Sequence, residues 1–392
     1  MSRPDAQLPS NSAPLAGVRV LDLTRLLPGP MCTLHLADMG ADVIKIEDTG
    51  AGDYAAPALR SMVQRNKRAL QLDLKQPEGV AVLHALARTA DVLVEGFRPG
   101  VTERLGVGYE TLAAINPKLV YCSITGYGQS GPWRDEPGHD LNYCALAGVS
   151  DQIGRDGDAP ALSNVPVADL LGGSLTAAMG LLAALFDAQR TGRGRHVDIA
   201  IADSTLAHAV VPMMSVLREG RTRPAGTDKL SGGLACYGVY PTRDGRHLAV
   251  GALERKFWER LCEVLGRDDL KPLHLPPDAA GTQALRAELA QLIAAQPLAH
   301  WQQRFEGSGC CVTPVLRLEE ALEHPHFRAR GMVVEPPDGG PRQLACPVKM
   351  SGFAFELRHP APRPGEHSDE LLAELGYGSE QRDALRRQGA IG

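Results

Sequence analysis

The stretch VRVLDLTRLLPGPMCTLHLADMGADVIKIE, residues 18–47, decides the fold. VRVLDL is a short apolar strand, RLLPGP a turn, and MCTLHLADMG a helix whose end is marked by Gly40. DVIKIE (42–47) is the next strand. Strand, helix and strand in that order imply two parallel strands joined by a crossover. The pattern repeats with RALQLDL (68–74), then PEGVAVLHALARTA with Pro77 near its start, then DVLVEGF (91–97). KLVYCSITGYG, from Lys118, adds another strand with a Gly-rich end. That end suits a ligand site, because parallel sheets bind ligands beyond the carboxyl ends of their strands.

Working outward, residues 169–190 (DLLGGSLTAAMGLLAALFDAQR) read as a long helix that Gly192 and Gly194 can stop. RHVDIAIA follows as a strand, and residues 203–218 as another helix. RTRPAGTDKLSGGLACY (221–237) is rich in Gly, Pro and Ser and reads as a mobile linker. Beyond it, YGVYPTRDGRHLAVGAL is a hairpin around Asp244 and Gly245. Helices are expected from about 254 to 266 and from 282 to 295. The expected organisation is a loose tail (1–14), a large α/β domain (15–220), a linker with a small α+β domain (221–335), and a C-terminal segment (336–392) returning to the large domain. No internal repeat is evident.

Composition removes several classes of function. The 392 residues carry a formal net charge of −5, whereas nucleic-acid binders usually show a basic balance. None of the eight cysteines forms a CxxC pair with a second pair at zinc-site spacing, so no metal is expected. The adjacent Cys310 and Cys311 suit burial. The dispersed cysteines suggest a reducing compartment, hence a cytoplasmic protein. The N-terminal MSRPDAQLPSNSAPLAG has no apolar core of a signal peptide. No run of 18 apolar residues occurs, so no membrane span is expected.

Two residues stand out chemically. His139 lies in PGHDLNY (137–143), and Asp169 in NVPVADLLGG (164–173). A histidine can act as neutral base or charged acid. His139 could equally cap a local turn, and Asp140 could orient it or cap the following segment. Asp169 has two compatible readings, an N-cap of its helix and a catalytic carboxylate; a capped carboxylate would be the weaker base. Gly172 and Gly173 would permit close approach of chain or ligand. Glu254, in AVGALERKFW, could do no more than favour a helix dipole. There is no GxGxxG and no GxxxxGK[ST], so alternation alone does not imply a nicotinamide or P-loop site. A phosphate-bearing ligand would need cations near strand ends and helix starts. The candidates are Lys45, Lys67, Arg68, Arg98 and Arg104, any of which could be ordinary surface.

These stretches together resemble the CaiB/BaiF family, the class III coenzyme A transferases and their racemase relatives. The resemblance runs from LAGVRVLDLTRLLPGPMCTLHLADMGADVIKIE through NKRALQLDLKQPEG, VEGFRPGVTERLG, YCSITGYGQSGP and AALFDAQRTGRGRHVDIA. It continues through CVTPVLRLEEALEHPHFRARG to KMSGFAF and LLAELGY, roughly residues 15–380. It implies a large and a small domain, an interlocked homodimer, and an acyl-CoA thioester as substrate, with no separate cofactor. PGHDLNY is similar to the racemase motif. The resemblance therefore places catalytic roles on His139 and Asp169, a supporting role on Glu254, and CoA contacts on Lys45, Arg98 and Arg104. In the transferases Asp169 would be the nucleophile that forms an acyl anhydride, and His139 would not be required. The Gly232–Gly233 pair in KLSGGLACY resembles the glycine-rich loop of the transferases.

Overall fold

The computed structural model describes residues 13–50, 56–336 and 339–392. The expected tail lies almost wholly outside them. The chain forms two compact units. The larger takes the described part of Met1–Ala147 with Ser163–His208 and Pro325–Gly392, and the smaller takes Gly148–Leu162 and Ala209–His324.

The larger unit is built on six parallel strands, β1 (Arg19–Asp22), β2 (Asp42–Glu47), β3 (Lys67–Gln71), β4 (Val92–Glu95), β5 (Val120–Thr125) and β6 (His196–Ala200). Their order across the sheet is β3-β2-β1-β4-β5-β6. Leu21 of β1 pairs with Ile44 on one side and Leu93 on the other. Every residue of β4 and β5 is buried, as expected of strands covered on both faces. The helix Pro28–Asp38 follows β1 with prolines in its first turn, where a missing N–H costs nothing, and Gly40 ends the passage with φ 101°. The chain order reverses between β1 and β4. In such a sheet the crevice outside the strand carboxyl ends at that point is where ligands bind.

The expected long helix is two pieces. Ala168–Leu175 is a π-helical turn, and Thr176–Thr191 continues as α-helix. The run Ala168–Thr191 also has the length and apolar composition of a membrane span. Here its residues Leu181, Ala184, Leu185 and Ala188 are buried, and the helix packs beside β5 and β6. The expected helix over 203–218 is likewise two, Ile201–Ala207 and Val210–Glu219.

The C-terminal residues belong to the larger unit. Leu371, Leu372, Leu385 and Ile391 enter the same apolar core as Leu21, Ile44 and Leu93. Arg68 reinforces this with ion pairs to Asp42, Glu370 and Glu374.

The smaller unit holds an antiparallel sheet of β7 (Tyr237–Pro241), β8 (His247–Gly251) and β9 (Val312–Pro314). Its hairpin turns at Gly245, φ 71°, and Trp258, Tyr240 and Trp301 fill its core. Residues 148–162 join this unit, against the expected boundary, because Gln152 Nε2 donates to the Arg223 carbonyl at 3.2 Å and Gly226 packs on Gly154. The expected linker folds into a turn on Asp228. That carboxylate accepts from Ser215 Oγ and from the Lys229 N–H, both at 2.7 Å. All eight cysteines are unbridged; Cys310 is buried, but its neighbour Cys311 is exposed with φ 58°.

Candidate active site

A cleft of about 740 Å³ opens at the reversal point of the large sheet. Its walls are the segments that leave the strand carboxyl ends: Thr24–Gly29 after β1, Gly96–Pro99 after β4, and Ile124–Gly126 after β5. His139 and Asp169 both line it.

His139 is the N-cap residue of the short helix Asp140–Leu146, with extended backbone. Its N–H donates to Asn142 Oδ1 at 3.1 Å. The imidazole is exposed, so capping and presenting a ring to the cleft are compatible in one residue. Tyr143 Oη donates to the Gly138 carbonyl at 2.5 Å, which fixes the turn just before the histidine.

Asp169 is not an N-cap. The N-cap of its helix is Val167, and Asp169 sits two positions further in. Its own backbone N–H donates to Asp140 Oδ1 at 3.0 Å. Asp140 is therefore spent on Asp169, and its other oxygen faces Cys144 Sγ at 3.9 Å. No hydrogen bond of Asp140 reaches His139 among the described contacts. The cap reading predicted a weak base, and the structure gives the opposite balance. Burial pushes the Asp169 carboxyl up and the Asp140 charge adds to it, while His139 pulls it down, with the result at about 6.

The glycines behind Asp169 serve chain packing. A Cβ on Gly172 would lie 2.9 Å from the Ile201 carbonyl oxygen, and one on Gly173 would lie 2.8 Å from Pro28 Cβ. The π-helical turn thereby comes flush against the cleft turn after β1 and the helix Ile201–Ala207.

The expected cations separate into four groups. Lys45 and Lys67 are core residues. Lys67 Nζ donates to Asp22 Oδ2 (3.0 Å), the Pro30 carbonyl (2.9 Å), Thr33 Oγ1 (2.7 Å) and Gln64 Oε1 (2.9 Å). Lys45 Nζ donates to the Thr24 carbonyl and lies 3.5 Å from Asp22. Burial alone would raise Asp22, but the two ammoniums, with Thr24 and Thr33, hold it far below the usual carboxylate range. Burial brings Lys67 down to about 8 despite Asp22. Both lysines therefore anchor the turn TRLLPGP from beneath and do not reach into the cleft. Arg68 is engaged by Glu370 and Glu374 of the helix Ser368–Glu374. Arg104 lines a different groove, with Lys75 and His84. Arg98 is exposed in the cleft wall itself.

Two further cleft cations escaped the sequence reading, Arg25 and Arg134. Arg25 stacks over the Phe97 ring at 5.8 Å and lies 3.7 Å from Asp48. The rule that placed a site after β5 applies equally to the turn after β1, and would have found Arg25. Arg134, in the irregular segment before His139, carries no such signal. Glu254 belongs to the smaller unit, where it is the exposed N-cap residue of Arg255–Leu265.

The Gly232–Gly233 pair has a local explanation. Gly232 has φ 117°, a Cβ on Gly233 would lie 2.1 Å from the Thr227 carbonyl oxygen, and Arg286 donates to the Gly232 carbonyl. The turn demands glycine there whatever the reaction. No group of three or more His, Cys, Asp or Glu suited to a metal ion occurs among the described residues.

The chain matches CoA-transferase family III over residues 15–368. It is 39% identical over 370 residues to α-methylacyl-CoA racemase of Homo sapiens, covering 94% of each chain. It is 34% identical over 392 aligned positions to succinate–glutarate CoA-transferase of Agrobacterium fabrum, covering 94% of this chain and 97% of that one. Among solved structures, a CaiB/BaiF family protein from Brucella suis matches with a TM-score of 0.83 at 28% identity, over 93% of this chain and 100% of that one.

Proposed function

This chain belongs to CoA-transferase family III, and from that premise we propose that it racemises 2-methylacyl-CoA thioesters by moving the α-proton. One base removes the proton from one face of the α-carbon, and a second acid delivers a proton to the other face. His139 and Asp169 are the two groups. The observation that carries the reading is their presence in one cleft, with the carboxyl of Asp169 raised to about 6. Such a carboxyl can hold or release a proton near neutrality, as an acid partner to a histidine must. The competent states are neutral His139 with protonated Asp169, or charged His139 with ionised Asp169. Each enantiomer consumes one state and leaves the other.

A thioester α-proton is far less acidic than either conjugate acid, so the barrier falls only if the enolate oxygen is stabilised as it forms. The thioester itself supplies the acidifying carbonyl, and the reaction needs no further cofactor. Arg98 is the wall cation proposed to meet the CoA phosphates, with Arg25 and Arg134 beside the same space. Glu254 enters as a supporting acid on the resemblance alone.

Transfer of CoA between an acyl-CoA and a carboxylic acid is the second reading. The similarity to the Agrobacterium transferase favours it. Asp169 would then attack the thioester carbon, expel the CoA thiolate, and hold the acyl group as an anhydride. A second carboxylic acid is obligatory for transfer and irrelevant to racemisation.

Deuterium incorporation at C2 of (R)- and (S)-2-methylacyl-CoA in D2O, with no added carboxylic acid, separates the two. Racemisation predicts incorporation with inversion from both enantiomers. The rate in His139→Ala should fall about 10²- to 10⁴-fold, the usual worth of a positioned acid or base. No incorporation from either enantiomer, together with carboxylate-dependent CoA exchange lost in Asp169→Ala, would move the assignment to transfer.

A further inference from the structure

The turn that carries Asp169 is unusual, and its sequence explains why it forms. In a π-helical turn a carbonyl is drawn away from its i+4 partner, and such turns cluster at functional sites. Here two hydroxyls five residues further on serve the displaced carbonyls. Thr176 Oγ1 donates to the Leu171 carbonyl at 2.8 Å, and Ser174 Oγ approaches the Asp169 carbonyl at 3.2 Å. Ser174 makes a second, shorter contact that Thr176 lacks. Its Oγ donates to the Pro28 carbonyl at 2.7 Å. Pro28 lies in the cleft turn held from below by Asp22, Lys45 and Lys67, and that turn lines the same cleft as Asp169. The Ser174 side chain is fully buried, between the backbone of the catalytic candidate and the backbone of the adjoining cleft turn after β1.

We propose that Ser174 is a positioning residue for Asp169, fixing the carboxylate against the Pro28 turn so that it reaches the face of the α-carbon opposite His139. The proposal rests on the two-base reading above. It adds a residue that touches no substrate and acts only through the placement of one of the two groups. That asymmetry makes it testable. A displaced Asp169 leaves His139 able to take a proton from one enantiomer. The enolate then recaptures a solvent-derived deuteron from the imidazolium on the same face. Exchange with retention persists, while inversion, which needs Asp169, falls.

The test compares C2 deuteration with inversion in D2O for each enantiomer, in the full-length protein and in Ser174→Ala. The expected result is a ratio of exchange to inversion that rises about tenfold for one enantiomer only, with inversion slowed to a similar extent. Ser174→Cys keeps the volume and a weak donor, and should give a smaller rise; it also serves if the alanine variant folds poorly. Thr176→Ala, which loses a hydroxyl at the same turn but no link to Pro28, should leave the ratio near that of the unaltered protein. Equal losses of exchange and inversion from both enantiomers in the Ser174 variants, or no change at all, would overturn the proposal. Absence of inversion in the unaltered protein would instead sink the two-base reading beneath it.

Discussion

Asp169 is held back from ionising by burial first and by Asp140 second, and this gives its chemistry a tunable part. The two directions of a racemisation are linked at equilibrium, so both enantiomers must show the same pH dependence of kcat/KM. That dependence reports the pair His139–Asp169 bearing one proton, and its limbs are macroscopic values of the pair. On the acid side activity is lost as the second proton binds. Asp140→Asn removes a negative charge that disfavours ionised Asp169, yet keeps an acceptor for the Asp169 N–H. Ionised Asp169 is then easier to form, so the acid limb should move to lower pH for both enantiomers alike. A limb that stays in place, or moves upward, would show that Asp140 does not set this carboxyl. At this scale the sequence pointed to two residues that share one cleft, but not to their settings. Asp169 and His139 were legible from PGHDLNY and NVPVADLLGG. The lysines were not, because the apolar strand DVIKIE and the motif NKRAL look the same whether their ammonium groups face a ligand or a buried Asp22.

Among the elements, strands and crossovers followed directly from apolar runs and their punctuation, as in VRVLDL, DVIKIE and KLVYCSITGYG. The break of one expected helix into a π-helical turn and an α-helix was not legible. Its cause is hydroxyl contacts five residues apart and a surface too close to admit a side chain, and neither has a periodic signature. The same closeness yields a prediction for the element. In Gly172→Ala the new methyl meets a backbone oxygen at 2.9 Å, and the flanking chain at Ile201 has no flexible end that could yield. Overpacking of this kind costs about 1–3 kcal/mol. The turn should relieve the clash by shifting away from the helix Ile201–Ala207 and carrying Asp169 with it. Denaturant unfolding should show the destabilisation, and inversion should slow in the same variant. A variant as stable and as active as the unaltered protein would mean that the turn has slack the packing distances do not suggest.

For the molecule as a whole, the sheet order could not be read from the chain, since alternation dictates parallel pairing but not that β4 returns beside β1. Nor could the membership of residues 148–162, where Gln152 reaches a carbonyl some seventy positions away. The remaining question at this scale is what covers the long helix. Its outer side carries Leu171, Leu175, Met179 and Phe186, spaced four, four and seven apart along one face. Met179 is 66% exposed and Phe186 is 63% exposed. A continuous apolar stripe of this length is rarely left to water. The family resemblance supplies the proposed occupant, a second copy of this chain, and a self-association face of ordinary size buries roughly 800 Å² per partner. Light scattering should therefore return about twice the 41.9 kDa of one chain. The double variant Met179→Glu, Phe186→Glu places two charges where the partner would desolvate them, and should return close to one. These side chains lie on the solvent side of a helix whose inner face is intact, so the fold should survive the change. A doubled mass in the variant would move the interface elsewhere. A single-chain mass in the unaltered protein would leave the stripe to some other partner and remove the homodimer from the proposal.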